Sequence, residues 1–388
     1  SLSRVHSRFA PGRHLRMMPN VGLLVGLLAL GQARAAFLQN LFGGKEPASD
    51  PALARYFRRD SWSGLNASAR GNLFMEVAPK LGIRCPKVGL SFFYYPSLQT
   101  ELRGAVATAN IARGEEVCFV PVQQLLCEFS VGNSSMLGLM RNYMQRTKAP
   151  LTSSAPPVTM KAIIALFVIR EGARETSRWM PYINGALDGH DPQPIPVNWA
   201  RGDPRLAKLS AYGQKLAQQS RARALRQYTT LFPDAFSRYA GALGEGMPCA
   251  GRCSQAELAA LYTQERFLAV YSVLRARDWV LDMHGEERPF LAPVIDLLNF
   301  GQVGIRASYD DKRQGFAAKT VQPIKAGQEL LFYYGNFCID DAINMYGFAP
   351  KGAPVCKAPG TTKKQPRRFA KGKPWAKGTG PPKAPPSH

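Results

Sequence analysis

Acidic residues are scarce in this chain, with 27 Asp and Glu against 50 Lys and Arg. The imbalance is not spread evenly. Residues 351–388 hold ten Lys or Arg and no acid, and residues 1–70 carry a net charge of +7. What remains between them has a net charge of only +6. Charge confined to the ends does not make the whole chain a nucleic-acid binder. Cysteine is sparse and odd in number: Cys85, Cys118, Cys127, Cys249, Cys253, Cys338 and Cys356. An odd count without a compact framework predicts no disulfide scaffold. Cys249 and Cys253 have no second pair and no nearby His, and Cys338 and Cys356 alone cannot supply a zinc segment, so no metal is expected. There is no G-x-G-x-x-G loop, no Walker loop and no Ser-centred nucleophile elbow, which removes the dinucleotide-binding, P-loop and serine-hydrolase classes. The apolar run Val21–Leu30 falls short of the roughly 20 residues that a membrane-spanning helix needs.

That run does resemble part of a targeting leader. Arg4, Arg8, Arg13 and Arg16 precede it, and Ala33-Arg34-Ala35 supplies a small-residue cleavage pattern after it. The stretch that follows is poor in acids and contains Arg and Ser. A signal-like segment followed by a transit-like one resembles the two-part plastid leader of algae with complex plastids. A plastid destination is expected, with a secretory signal or a membrane anchor as the alternatives.

The rest of the chain has material for a large core, since 45% of its residues are hydrophobic. Gly71–Leu81 reads as a short helix, and Val88–Tyr95 as a strand. A hairpin follows, with strands at Arg103–Thr108 and Glu116–Pro121 and a turn at Ala112-Arg113-Gly114. From Ser134 to Asp282 the period becomes helical. Met160–Glu171 is a strongly apolar helix, Asp203–Leu231 is a long basic amphipathic stretch, and Ala256–Leu281 is further helix. Strand signals return at Phe290–Leu298, Ile305–Asp310, Gly315–Thr320 and Glu329–Tyr333, and a short helix is predicted at Ile339–Tyr346. Beyond Lys351 the Pro-, Gly- and Lys-rich sequence reads as disordered. The expected organisation is a leader and linker over 1–70, a first strand-rich part over 71–133, a helical insert over 134–282, a second strand-rich part over 283–350 and a basic tail over 351–388. A structureless loop as long as the insert is implausible, so the insert must fold.

Three motifs stand in order in the last strand-rich part: Asp296-Leu297-Leu298-Asn299-Phe300 after an apolar run, Tyr334-Gly335 after a second strand, and Tyr346-Gly347-Phe348 closing a helix. Together they resemble the catalytic half of a SET domain, in the subgroup of the Rubisco large-subunit lysine methyltransferase and the actin histidine methyltransferase. The resemblance covers roughly Lys87–Pro350. It implies an α+β fold in which short SET strands are split by a large helical insert, here without the C-terminal Rubisco-type substrate-binding domain. It also implies S-adenosyl-L-methionine as cofactor, with a protein Lys or His side chain as substrate. One position departs from the family, because Phe300 stands where His is usual.

The residue chemistry suits that reaction. Methyl transfer from a sulfonium to an amine needs in-line approach, a desolvated channel, a neutral nucleophile and dipoles around the methyl group. Lysine has a reference pKa near 10.4, so burial must favour its neutral form. Aromatic rings both line such a channel and attract the sulfonium. Phe332, Tyr333, Tyr334, Tyr346 and Phe348 form the aromatic cluster of the sequence. By composition alone Tyr334 reads as a packed strand-end tyrosine; the resemblance makes it the catalytic residue, with Tyr333 turned to the opposite face by strand alternation. It makes Tyr346 and Phe348 the channel wall.

The resemblance likewise assigns Glu101, Leu102 and Arg103 to a first cofactor loop that works through backbone groups. Asp296 and Asn299 match the cofactor end of the family strand, and Phe300 contributes backbone groups only. An Asn amide can accept from the methionine ammonium and donate to its carboxylate. Arg275 and Arg277 match an Arg-x-Arg helix ending, and Arg277 is the expected partner of the cofactor carboxylate because guanidinium binds carboxylate bidentately. Trp179 and Tyr182 match a Trp-x-x-Tyr segment that supports the alignment more than the chemistry. The expectation is a monomeric protein-lysine N-methyltransferase acting on a non-histone protein, with nucleic acid not expected as a partner. A histidine methyltransferase and a catalytically silent, peptide-binding SET scaffold are the alternatives.

Overall fold

The computed structural model describes residues 51–95, 100–146, 158–187, 195–249, 253–283, 286–349 and 353–356. The leader, its apolar run and the basic tail beyond Cys356 lie outside the described residues. No described helix is long and apolar enough to cross a membrane.

The chain enters through helix α1 (Ala67–Val77), whose Asn66 cap accepts from the Ala69 amide at 2.9 Å and so satisfies one of the open amides of the first turn. Strands β1 (Val88–Tyr95) and β2 (Thr100–Ala107) pair antiparallel as a two-stranded ribbon. Strands β3 (Glu116–Pro121) and β4 (Leu126–Cys127) complete the first strand-rich part. Among the described residues, helices follow until β5 (Trp279–Met283) and β6 (Glu286–Leu291), which build a three-stranded sheet in the order β4-β6-β5. Strands β7 (Asn299–Asp310), β8 (Gly315–Thr320) and β9 (Leu331–Phe332) join β3 in a four-stranded sheet ordered β3-β8-β7-β9. Both larger sheets therefore mix strands from before and after the helices. Neither can form until the two halves of the chain meet.

Helix α2 (Met160–Ala173) is buried along almost its whole length. Its sequence is apolar all round, which is the pattern of a helix enclosed on every side. The charges at its end are neutralised internally: the Arg170 guanidinium pairs with Glu171 at 2.6 Å, and the second oxygen of Glu171 accepts from the Ser177 hydroxyl at 2.5 Å. A buried charge without such partners would be costly. Around α2 lie α3 (Ala211–Leu231) and α4 (Gln264–Arg277). Helix α5 (Ile339–Tyr346) follows β9 and ends at Gly347, which has φ +83°. Only a residue without a Cβ takes that left-handed cap cheaply.

The structure differs from the sequence reading in several places. The predicted strand over Phe290–Leu298 is two things: β6 stops at Leu291, and Ile295–Leu297 form one 3-10 turn. Asp296 sits on that turn rather than on a strand. The predicted strand Glu329–Tyr333 contracts to Leu331–Phe332. The basic stretch Asp203–Leu231 begins with a 3-10 turn, and helix α3 starts only at Ala211. Six cysteines are paired, as Cys85–Cys118, Cys249–Cys253 and Cys338–Cys356, which corrects the expectation of none. Parity cannot reveal partners that tertiary contacts bring together. A bridge between Arg84 and Phe119 sets the Cα atoms of Cys85 and Cys118 4.2 Å apart, although 33 residues separate them. Cys127 is left as a buried free thiol whose pKa is raised by burial.

Candidate active site

The site lies where β2, the 295–297 turn, the start of β7, the segment after β9 and the end of α5 converge. The parallel pairing of β7 with β9 aligns Asn299 with Leu331 and Phe300 with Phe332. That register brings the first motif against the second, two residues short of Tyr334. On the other side, the Leu330 amide donates to the Ala105 carbonyl at 2.8 Å, so β2 runs along the same segment.

Tyr334 is half-buried, and its hydroxyl donates to the Leu298 carbonyl at 2.5 Å. The next residue, Gly335, has φ +122°. That conformation is open essentially to glycine alone, and it turns the chain away immediately after the tyrosine. Aromatic rings surround the phenol: Tyr346 at 4.8 Å, Phe300 edge-on at 5.5 Å and Phe332 at 6.0 Å between ring centroids. Phe348 packs on Phe300 at 6.0 Å and on Tyr346 at 6.4 Å. Such tilted and edge-on pairs suit the ring quadrupoles. Tyr333 is 36% exposed and turned outward, where its hydroxyl bonds the side chain of Asn336. Alternation along the strand thus separates the two adjacent tyrosines.

A polar cluster lies on the β2 side. The Asn299 amide nitrogen donates to the Arg103 carbonyl at 3.2 Å and to Glu329 at 2.8 Å. The Tyr95 hydroxyl donates to both Glu329 oxygens at 3.0 Å. Burial raises the Glu329 carboxyl above its ordinary pKa, and burial together with the Glu329 charge raises the Tyr95 phenol. Gly104 makes this approach possible. A Cβ there would come within 2.6 Å of the Asn299 nitrogen and 2.7 Å of Glu329.

Two side chains do work that the sequence did not indicate. The Asn299 side-chain donors are used inside the protein, on the Arg103 carbonyl and Glu329. Arg103 is buried, and its guanidinium donates to the Gly185 carbonyl at 2.5 Å and to the Ala186 carbonyl at 3.4 Å. It ties β2 to the insert. Its neighbour Glu101 is exposed and Leu102 half-buried.

Asp296 is 5% exposed and accepts from the Tyr182 hydroxyl through one oxygen. Its other oxygen, Oδ1, is buried without a hydrogen-bond partner among the described residues. Burial pushes its pKa up to about 7, and the nearby Arg277 charge and the Tyr182 bond offset part of that rise. The preceding Val294 has φ +71° and ψ −49°. This is a strained conformation for a β-branched residue, of the kind that gathers at functional sites. Arg275, by contrast, reaches α5, where its Nε donates to the Asn344 carbonyl at 3.4 Å. The Arg-x-Arg pair therefore divides, with Arg275 fastening α5 and Arg277 beside Asp296.

Sequence reasoning missed Tyr95, Glu329 and the bond from Tyr182 to Asp296. The Trp-x-x-Tyr spacing pointed to Tyr182, but only as a marker of alignment. The ligand atoms of Cys338, Asp341 and Cys356 lie within 4.8 Å of one another, but the two sulfurs are joined to each other, which leaves the carboxylate as the one open donor of that group.

No protein-family model matches the chain, and no curated protein does. Solved structures do. The SET domain of LSMT bound to lysine and AdoHcy is similar with a TM-score of 0.51 at 16% identity, over 73% of this chain and 58% of that one. Rubisco LSMT bound to sinefungin and monomethyllysine is similar with a TM-score of 0.51 at 18% identity, over 74% of this chain and 57% of that one. The chain thus spans less than three fifths of the length of these structures. Its fold is the SET-domain fold, an α+β arrangement with a helical insert, of the kind found in LSMT.

Proposed function

We propose that the chain is an S-adenosyl-L-methionine-dependent protein methyltransferase that modifies lysine on a non-histone protein. One observation carries this reading. The Tyr334 hydroxyl is fixed by the Leu298 carbonyl inside an aromatic wall of Phe300, Tyr346 and Phe348. Its proton is directed to a backbone oxygen, which orients the lone pairs of the phenol within the wall. Those lone pairs orient an amine and polarise an adjacent methyl group, while the rings exclude water and favour the neutral amine. The structures of similar fold were solved with lysine or monomethyllysine, and that supports lysine over histidine.

The cofactor pocket is assigned to the same junction. Asp296 offers a buried oxygen with no hydrogen-bond partner among the described residues, next to the positive charge of Arg277. This pair suits the ammonium and carboxylate of an amino-acid moiety. Glu101, Leu102 and Phe300 contribute backbone groups. The Arg103 carbonyl and the Asn299 amide hold the pocket's shape through their mutual bond. When bound, the cofactor supplies an electrophilic methyl on a sulfonium. Calorimetric titration of S-adenosylmethionine into the protein tests the pocket, and mass spectrometry of a methylated extract tests the product. Saturable binding together with lysine methylation that requires Tyr334 is the expected result; absence of cofactor binding to folded protein sinks the reading. A plastid destination rests on the leader-like residues 1–35, and import of a fluorescent fusion tests it.

A further inference from the structure

A second concave surface lies on the insert, away from the motifs. The turn Pro196–Asn198 packs against α3 and leaves a groove of about 360 Å³. Pro196, Trp199, Leu206, Ala217 and Leu225 make it apolar, and Arg201 and Arg221 border it. The volume is at the lower end of ligand pockets and fits about one or two apolar side chains. The Trp199 indole N–H has no hydrogen-bond partner among the described residues, although Trp199 is only 6% exposed. A buried polar group left in that state marks a place where a partner's acceptor would be welcome.

The surroundings are of one charge. From Ile195 to Leu231 the sequence holds seven Arg or Lys and a single acid, Asp203. That acid is matched by Arg205 at 2.7 Å, and the Arg205 guanidinium lies over the Trp199 ring at 4.7 Å. The Arg221 guanidinium donates to the Val197 carbonyl at 2.9 Å and keeps its charge at the border of the groove. Residues 1–70, 71–350 and 351–388 are each net basic, so a second copy of this chain does not complement this surface. The apolar floor favours a peptide over a nucleic acid, whose recognition would be dominated by phosphate contacts.

The helix that lines the groove also bonds to the helix that carries the aromatic wall. The first turn of α3 packs on the first turn of α5: the Ser210 hydroxyl donates to Asp340 at 2.6 Å, the Tyr212 hydroxyl donates to Asp341 at 3.1 Å, and Gly213 admits Asp340 at a distance no Cβ would allow. The same helix α5 ends in Tyr346, whose ring packs tilted against Tyr334. A chain held in the groove is therefore held at a fixed offset from the tyrosine.

We propose that this groove docks an acidic segment of the substrate protein through an apolar anchor, at a distance from the residue being modified. The proposal rests on the methyltransferase reading for its purpose but not for its test. The probe is a fluorescein-labelled, Glu-rich peptide with a central Leu–Phe pair and no Lys or His, titrated into the full chain by fluorescence anisotropy without cofactor. Saturable binding is expected. Ala222→Phe, which fills the groove, and Arg201→Glu, which reverses an exposed charge beside it, should each weaken it by about tenfold or more. Exchanging the Leu–Phe pair for Ser–Ser should weaken it similarly. Equal binding of the Ser–Ser peptide overturns the proposal, as does tighter binding of a single-stranded oligonucleotide hindered by the same variants. Unchanged binding in both variants, with their thermal unfolding also unchanged, overturns it too. Peptide binding that persists in a sample unable to bind S-adenosylmethionine upholds the groove and removes the methyltransferase reading instead.

Discussion

The hydroxyl of Tyr334 donates to the backbone carbonyl of Leu298 at 2.5 Å, across 36 residues of sequence. The bond joins the segment after β9 to the turn before β7, and so locks the second motif to the first. Tyr334→Phe keeps the ring contacts with Tyr346 and Phe300 and deletes this bond. A stability loss of about 1 kcal/mol is expected, with turnover reduced on the order of 100-fold and cofactor affinity nearly unchanged. Denaturant melts, methylation rates and calorimetry on one preparation check the three parts together. Undiminished turnover would remove Tyr334 from the chemistry.

Asp296 makes stability depend on pH in a direction opposite to that of a salt-bridged carboxylate. Its pKa is raised to about 7 in the folded chain by burial, against roughly 3.9 when unfolded. The folded state therefore holds the extra proton between these values. The contribution is fully present below about pH 3.9 and is lost as pH rises through about 7. Asp296→Asn mimics the protonated form and keeps an acceptor for Tyr182. Urea midpoints near pH 5 and near pH 8 should show the variant gaining on the parent at the higher pH. A difference that does not change with pH would mean that the carboxyl is already ionised at pH 5.

Gly104 is the point of closest approach in the polar cluster. A methyl group there would press on Asn299 at 2.6 Å and Glu329 at 2.7 Å. Gly104→Ala should cost about 1–3 kcal/mol through overpacking, and should lower cofactor affinity by about tenfold by displacing Asn299. Thermal unfolding and S-adenosylmethionine titration measure the two effects. Full affinity in the variant would show that the Asn299 position does not shape the pocket.

Phe300 stands where the sequence resemblance implies a histidine. Its ring packs on Tyr334, Tyr333 and Phe348. Phe300→His should lose about 1 kcal/mol of aromatic packing and leave cofactor affinity within about threefold, because only backbone groups at this position are assigned to the pocket. Calorimetry decides it. A large gain in affinity would mean that the pocket of this chain is weakened by its phenylalanine.

Much of the fold was legible locally. The strand Val88–Tyr95, the all-round apolar helix beginning at Met160 and the helix Ile339–Tyr346 follow from period and composition, and the structure has each at those residues. The site was legible as three spaced motifs. Their convergence was not, since the β7–β9 register that places Phe300 beside Phe332 is a pairing between distant segments. Likewise, nothing local marks Glu329 as the acceptor of both Tyr95 and Asn299.

The sequence by itself determined several of the strands and helices, though it read Trp279–Leu281 as helix where β5 runs, and it determined where the charge lies and which residue types could surround a methyl transfer. These depend on side-chain period and composition along a few residues, which the chain carries wherever it goes. Only the tertiary structure decided the roles of particular side chains. Arg103 turned inward to the carbonyls of Gly185 and Ala186, the Asn299 donor was used within the protein, and Cys85 met Cys118. The physical reason is common to all of them: a buried donor, acceptor or thiol is partnered by whatever packing brings within reach, and that is set by the whole fold.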